Sequence, residues 1–194
     1  MKQFLYFASI FLGTFLFAYE SMHNKTPVGK IIVLDLPERT ALEATTDNSY
    51  FSENNGLFRK LFRYINQNDI SMTTPVEANI NPGKMRFFVG NKDLPKDFKD
   101  SDEVKVKKLK KQRVVSIGIR GGYSEKRYHA NLLKLTQWLD INPKYERCGD
   151  SYGVYWNGPF IPGPFKRSEI HIPIRKTKLN LKSQSSKSKS QPTK

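Results

Sequence analysis

Four residues in one short stretch could grip a flat ligand: Phe58, Arg59, Phe62 and Arg63. Placed on a helix at 100° per residue, Leu57, Leu61 and Ile65 form the centre of an apolar stripe. Phe58 and Phe62 widen it on one side, and Arg59 and Arg63 lie beyond Phe62. Aromatic rings offer a stacking surface, and guanidinium groups hold carboxylates. The pattern suits a flat apolar ligand with carboxylates at its edge. It equally fits two core rings and two solvated arginines.

Three side chains could ligate a metal ion. Met72 could bind iron, although a methionine in a strand beside Thr-Pro is ordinarily core. His129 lies at the edge of the apolar stripe of a second helix. His171 alternates with Ile170 and Ile172 and so faces away from them. Each histidine also fits a surface or hydrogen-bonded role. His23 precedes the domain and is expected to be mobile.

Catalytic groups are sparse. Cys148 is the only cysteine. It excludes an internal disulfide and a cysteine-based zinc or iron–sulfur site, and no catalytic motif surrounds it. Ser116 and Ser151 lack a nucleophile elbow. Gly118-Ile119-Arg120-Gly121-Gly122 lacks a phosphate-loop lysine. Glu43 and Glu77 could enter a cleft, where a lone carboxylate would permit acid–base chemistry. A binding protein rather than an enzyme is expected.

The two ends differ from the middle. Met1-Lys2-Gln3 precedes a fifteen-residue apolar run, Phe4–Ala18. A membrane-spanning helix needs about 20 apolar residues, so residues 1–18 read as a signal peptide or an uncleaved anchor, and export is expected. Formal charge is +15 over 194 residues. Seven basic residues and no acidic ones lie in Arg175–Lys194, whose Ser/Lys/Gln-rich part, residues 177–194, is expected to be disordered. A second basic run spans Lys105–Arg113. An exported basic chain points to anionic lipid or envelope polymer rather than specific nucleic acid.

Between these ends, residues 19–29 read as a linker and 30–176 as one domain. Strands are expected at Ile31–Leu36, Arg39–Thr45, Ser71–Ile80 and Lys84–Val89. An edge strand with outward lysines covers Val104–Lys108. Further strands fall at Val114–Ile119, Ser151–Trp156 and Ser168–Ile174. One helix follows a cap at Asn48 or Ser49 and runs to about Ile65; another is capped by Ser124 and ended by Pro143. A Pro/Gly/Phe loop covers Asn157–Arg167. Shifting the chain by 74 residues lays Arg39 on Arg113, Leu61 on Leu135 and Tyr64 on Trp138. This predicts an α+β fold of two pseudo-symmetric βαββ repeats. They should form one antiparallel sheet or distorted barrel flanked by two helices.

Three segments together resemble the SOUL/heme-binding protein family. They are Phe62-Arg63-Tyr64-Ile65 followed by Ile70-Ser71-Met72-Thr73-Thr74-Pro75-Val76; Met85-Arg86-Phe87-Phe88-Val89; and Trp156-Asn157-Gly158-Pro159 through Phe165-Lys166-Arg167-Ser168-Glu169-Ile170. Asn66-Gln67 stands where the family often has glycine, and Lys166 and Ser168 replace an arginine and an asparagine. The resemblance implies the two-repeat barrel shared with bacterial effector-binding domains. It also implies non-covalent binding of heme or another porphyrin. It places contacts on the first helix and on the loop from Trp156 to Arg167, which adds Trp156 and Lys166 to Phe62 and Arg63. Three other readings stay open. One is a small-molecule effector module using the cleft between repeats. Another is a hydrolase or isomerase on the same scaffold. The third is an envelope protein held by its basic tail.

Overall fold

The computed structural model describes residues 19–158 and 160–177. The expected leader, residues 1–18, and the tail from residue 178 lie outside them. Among the described residues there are two α-helices and eleven strands, and the expected elements occur in the expected order. The chain runs through β1 (Glu20–Ser21), β2 (Ile31–Leu36), β3 (Arg39–Thr45), α1 (Tyr50–Gln67), β4 (Thr73–Thr74), β5 (Val76–Asn79), β6 (Lys84–Phe88) and β7 (Lys105–Leu109). After these come β8 (Gln112–Arg120), α2 (Glu125–Asp140), β9 (Tyr145–Arg147), β10 (Tyr152–Tyr155) and β11 (Arg167–Lys176). Strands β1 and β9 are additional to those expected.

Each helix starts at a serine whose hydroxyl accepts from the first turn: Ser49 from the Phe51 N–H, and Ser124 from the Arg127 N–H. Helix α1 buries Leu57, Leu61 and Ile65, the centre of the stripe expected from spacing, and Tyr64 beside them. The strand expected over Ser71–Ile80 is split in two at Pro75, which has no N–H for the ladder.

The main sheet runs β2-β8-β11-β10-β5-β6-β3-β7, with β9 added alongside β11. All its ladders are antiparallel. The order reads symmetrically outward from the β5–β10 seam. Strand β3 corresponds to β8, β6 to β11, and edge strand β7 to edge strand β2. Each leading strand crosses over: β2 precedes β3 yet pairs with β8, and β7 precedes β8 yet pairs with β3. The halves are therefore interlocked rather than merely abutting. The lysine-rich β7 is an edge, as expected.

The 74-residue shift holds for the helices but not for the strand faces. Leu42 joins the core under the helices, whereas Ser116, 74 residues on, points to the opposite face. Arg39 likewise lies buried on that face, while Arg113 pairs with Asp35 at the other. A one-residue slip between helix and strand inverts every side chain, so Arg39 and Arg113 are not equivalents.

Residues 19–29 are not a linker. Strand β1 pairs with β4, Thr26 is fully buried, and the chain crosses Gly118 closely enough that a Cβ there would overlap the Pro27 carbonyl oxygen. His23 is not mobile but packed, its ring 5.0 Å from Trp156 and 5.6 Å from His171. Backbone pairing and one small side chain hold this strap, so it carries no apolar periodicity.

Candidate functional site

The sheet has two faces of different chemistry. Under the helices, Leu42, Phe87, Ile117, Ile170 and Ile172 build the main apolar core. On the far face, Arg39, Glu77, Glu169 and His171 are buried beside Val114, Tyr152, Val154 and Trp156. No helix among the described residues covers this second face. The curl of the sheet and the strap over residues 22–30 close it.

On the flank of α1, beside the buried stripe, Phe51, Phe58 and Phe62 fall within about 40° of one another around the axis, a strip about 16 Å long in which Phe51 and Phe58 pack partly against the core. The Phe58 and Phe62 rings stack at 5.7 Å with 14° between their planes, and Phe58 meets the buried Phe87 ring edge-on. Phe62 keeps 45% of its surface exposed. Arg59 and Arg63 are exposed beside it. Arg63 donates to Glu103 at 2.7 Å in a solvent-exposed pair.

The upper end of the strip meets a cluster of tyrosines at the seam between halves. Phe51 approaches Tyr128 at 6.1 Å; Tyr50 stacks on Tyr155 at 5.6 Å, and Tyr123 packs on Tyr155 at 4.6 Å. Burial pushes the Tyr123 phenol up to about 12 and raises Tyr50, Tyr128 and Tyr155 as well. These phenols stay protonated at neutral pH and are poor phenolate ligands. A cleft among Tyr123, Arg127, Tyr128 and Tyr155 has a volume of about 10 Å³, room for about one water. A macrocycle does not fit inside it.

The Asn157–Arg167 loop is pinched at its neck. The Tyr123 hydroxyl donates to the Arg167 carbonyl at 2.9 Å and accepts from the Asn157 N–H at 3.0 Å. The Arg167 N–H donates to Asn157 Oδ1 at 2.7 Å. Lys166 lies over the Tyr123 ring, 5.1 Å from its centroid.

Trp156 is apart from the helix candidates. Strand alternation turns Tyr155 toward the helices and Trp156 to the far face, where it is 4% exposed and its ring N–H donates to Glu169. The six candidate residues thus occupy three places: four on α1, Lys166 at the loop neck, and Trp156 on the far face.

The carboxylates of the far face are paired internally, whereas Arg39 Nε, Asn79 Oδ1 and His23 Nε2 are buried with no hydrogen-bond partner among the described residues. Arg39 donates to Glu77 at 2.6 Å, and Arg86 donates to Glu43 at 2.7 Å. Glu169 is ringed by the Thr26 N–H and hydroxyl, the Ser116 hydroxyl, the Trp156 ring N–H and His171 Nε2, all within 2.9 Å. Burial raises the Glu169 carboxyl, but donation from His171 and Thr26 and the charge of His171 outweigh it and bring it down to about 2. Glu43 and Glu77 do reach this face, yet paired with arginines, so neither is a free acid or base.

The axial candidates separate clearly. His171 is fully buried, with Nε2 on Glu169 and Nδ1 near the Tyr152 hydroxyl, which leaves neither nitrogen for iron. Met72 packs against the main core. His129 is exposed on α2, 3.8 Å from Glu125. Among the described residues no three His, Cys, Asp or Glu side chains converge into a metal site.

Sequence reasoning missed the tyrosine seam. Tyr50 and Tyr123 sit at element boundaries and Tyr155 at a strand end, where periodicity is weakest. The one usable signal was the aromatic content at both helix starts.

The model of the SOUL heme-binding protein family matches residues 19–173. No curated protein matches this sequence. Among solved structures, the C-terminal domain of EcmrR is 14% identical, with a TM-score of 0.62 over 76% of this chain and 98% of that one. A protein from Listeria innocua described as a hydrolase is 12% identical, with a TM-score of 0.55 over 77% and 94%. At such identities these two likenesses concern the fold alone. The family match covers most of the sequence and nearly all of the described fold, and this chain belongs to the SOUL heme-binding protein family.

Proposed function

We propose that this chain binds a tetrapyrrole non-covalently on the outer strip of α1, and that it acts by binding rather than catalysis. The observation that carries this reading is the stacked, partly exposed Phe58–Phe62 pair with two arginines beside it. A ring pair left exposed next to cations fits the face and edge of a porphyrin dicarboxylate. Phe58 and Phe62 would hold the macrocycle, and Arg59 and Arg63 would receive its carboxylates, with Arg63 exchanging Glu103 for the ligand. Bound heme would supply a redox-active iron. The chain's own part is to stack on the macrocycle and neutralise its edge.

The far face supports the same choice. Glu77 is already neutralised by Arg39, so that face offers no free carboxylate to a cationic effector and no unpaired acid for hydrolysis. The apolar run Phe4–Ala18 supports an exported protein, released or anchored through that run, and the basic tail supports attraction to anionic envelope surfaces.

Paired fluorescence-quenching titrations test the site, using one porphyrin with carboxylates and one without. Arg63→Glu should weaken the first and leave the second unchanged. If Arg63→Glu and Phe62→Ala both bind the dicarboxylate like the parent, the ligand is not on this helix.

A further inference from the structure

We propose that one end of this domain docks on an anionic lipid bilayer, with Phe160, Ile161 and Phe165 entering the interface. The proposal stands apart from the tetrapyrrole reading. Phe160 is 96% exposed, Phe165 66% and Ile161 39%, all on one loop tip. Three large apolar side chains held in water by a pinched neck are hard to explain as core. The Tyr123 and Asn157 bonds described above fix the neck while the tip projects.

The surroundings are basic. The Gly121 N–H donates to the Lys166 carbonyl, which sets the loop against the end of β8. Arg120 closes that strand, and exposed Lys126 and Arg127 follow on the first turn of α2, where Arg127 reaches back to the Arg120 carbonyl. From the strap, Lys25 lies 5.1 Å over Trp156. Glu125 is the one acidic residue among the exposed positions of this first turn. An apolar tip ringed by lysines and arginines matches a bilayer interface over anionic headgroups.

The course of the chain points the same way. Strap residue Thr26 bonds Glu169 and accepts from Arg167 at the loop neck, so the strap passes the neck at Thr26, while Glu20 and Ser21 pair with Thr73 and Thr74. Tyr19, 56% exposed, stands just before β1, and in the sequence the apolar run Phe4–Ala18 immediately precedes it. Strand β11 carries the chain about 30 Å away from this surface.

The test uses the full chain carrying Phe160→Trp, with the parent's Trp138 and Trp156 emission subtracted. Vesicles are phosphatidylcholine alone, or mixed with phosphatidylserine, in moderate salt. The added indole should shift to the blue and be quenched by bromine-labelled acyl chains with the anionic vesicles only. In the full chain, Phe160→Ser with Phe165→Ser should lower partition into anionic vesicles by about tenfold or more. The proposal fails if the protein sediments with vesicles while the indole keeps a water-like emission, since contact then runs through the tail or the leader. It fails equally if neutral and anionic vesicles behave alike, if no vesicle shifts the emission, or if protein concentration alone shifts it, which would mean self-association.

Discussion

The two faces of the sheet solve burial in opposite ways. The helix face is an apolar core that leaves a strip of aromatic rings on its outer layer. The far face buries charge and pairs its carboxylates internally, with Arg39 on Glu77, Arg86 on Glu43, and five groups around Glu169. The contrast separates stability from binding. Buried carboxylates that are already paired are not free for a ligand, and removing one partner leaves an uncompensated charge. Half-exposed rings contribute less to folding and keep apolar area for a partner.

The largest expected effect comes from breaking a buried pair. Glu77→Gln strands the Arg39 guanidinium and should cost about 3–5 kcal/mol in a denaturant melt. A loss below about 1 kcal/mol would mean the far face does not depend on pairing.

Acid should act on the same face. The Glu169 carboxyl is held at about 2, below its unfolded value, so the unfolded chain binds more protons in between. Its stabilisation is present above about pH 4.5 and is lost as pH falls toward 2, by about 3 kcal/mol. His23, lowered by burial, adds in the same direction as pH drops below about 6.5. Melts from pH 7 to 2 should show stability falling with pH, and Glu169→Gln should flatten the acid part of that slope.

A smaller effect tests the strap. Gly118→Ala puts a methyl against the Pro27 carbonyl and should cost about 1–3 kcal/mol. Hydrogen exchange should rise at Thr26 and Gly29, whose N–H groups donate to the Glu169 carboxylate and the Gly118 carbonyl. Smallest of all, Arg63→Glu breaks an exposed pair and should change stability by less than about 1 kcal/mol.

Both helices, most strands and the two-repeat plan were legible in the amino-acid order, because each depends on local periodicity or a capping serine. The alternation of His171 with its isoleucines correctly turned it away from the helix core. What was not legible depends on distant partners. Thr26 is anchored by Glu169, 143 residues away, and nothing near residue 26 signals it. The placement of Trp156 turns on strand parity at one position, where a single residue separates the helix face from the far face. The equivalence of Arg39 and Arg113 failed for the same reason. On α1 the stripe and its aromatic flank were legible, but the continuation into Tyr50, Tyr123 and Tyr155 needed the fold.

The most direct measurement of the central claim is an absorbance titration of hemin into the parent and Phe62→Ala, with a denaturant melt of each. Phe62 is 45% exposed, so its loss should cost clearly less than the ~3–5 kcal/mol of a fully buried phenylalanine. Hemin affinity should fall by about tenfold or more. Equal hemin affinity in the two proteins, or no binding by the parent, would contradict the assignment of the α1 strip as the tetrapyrrole surface.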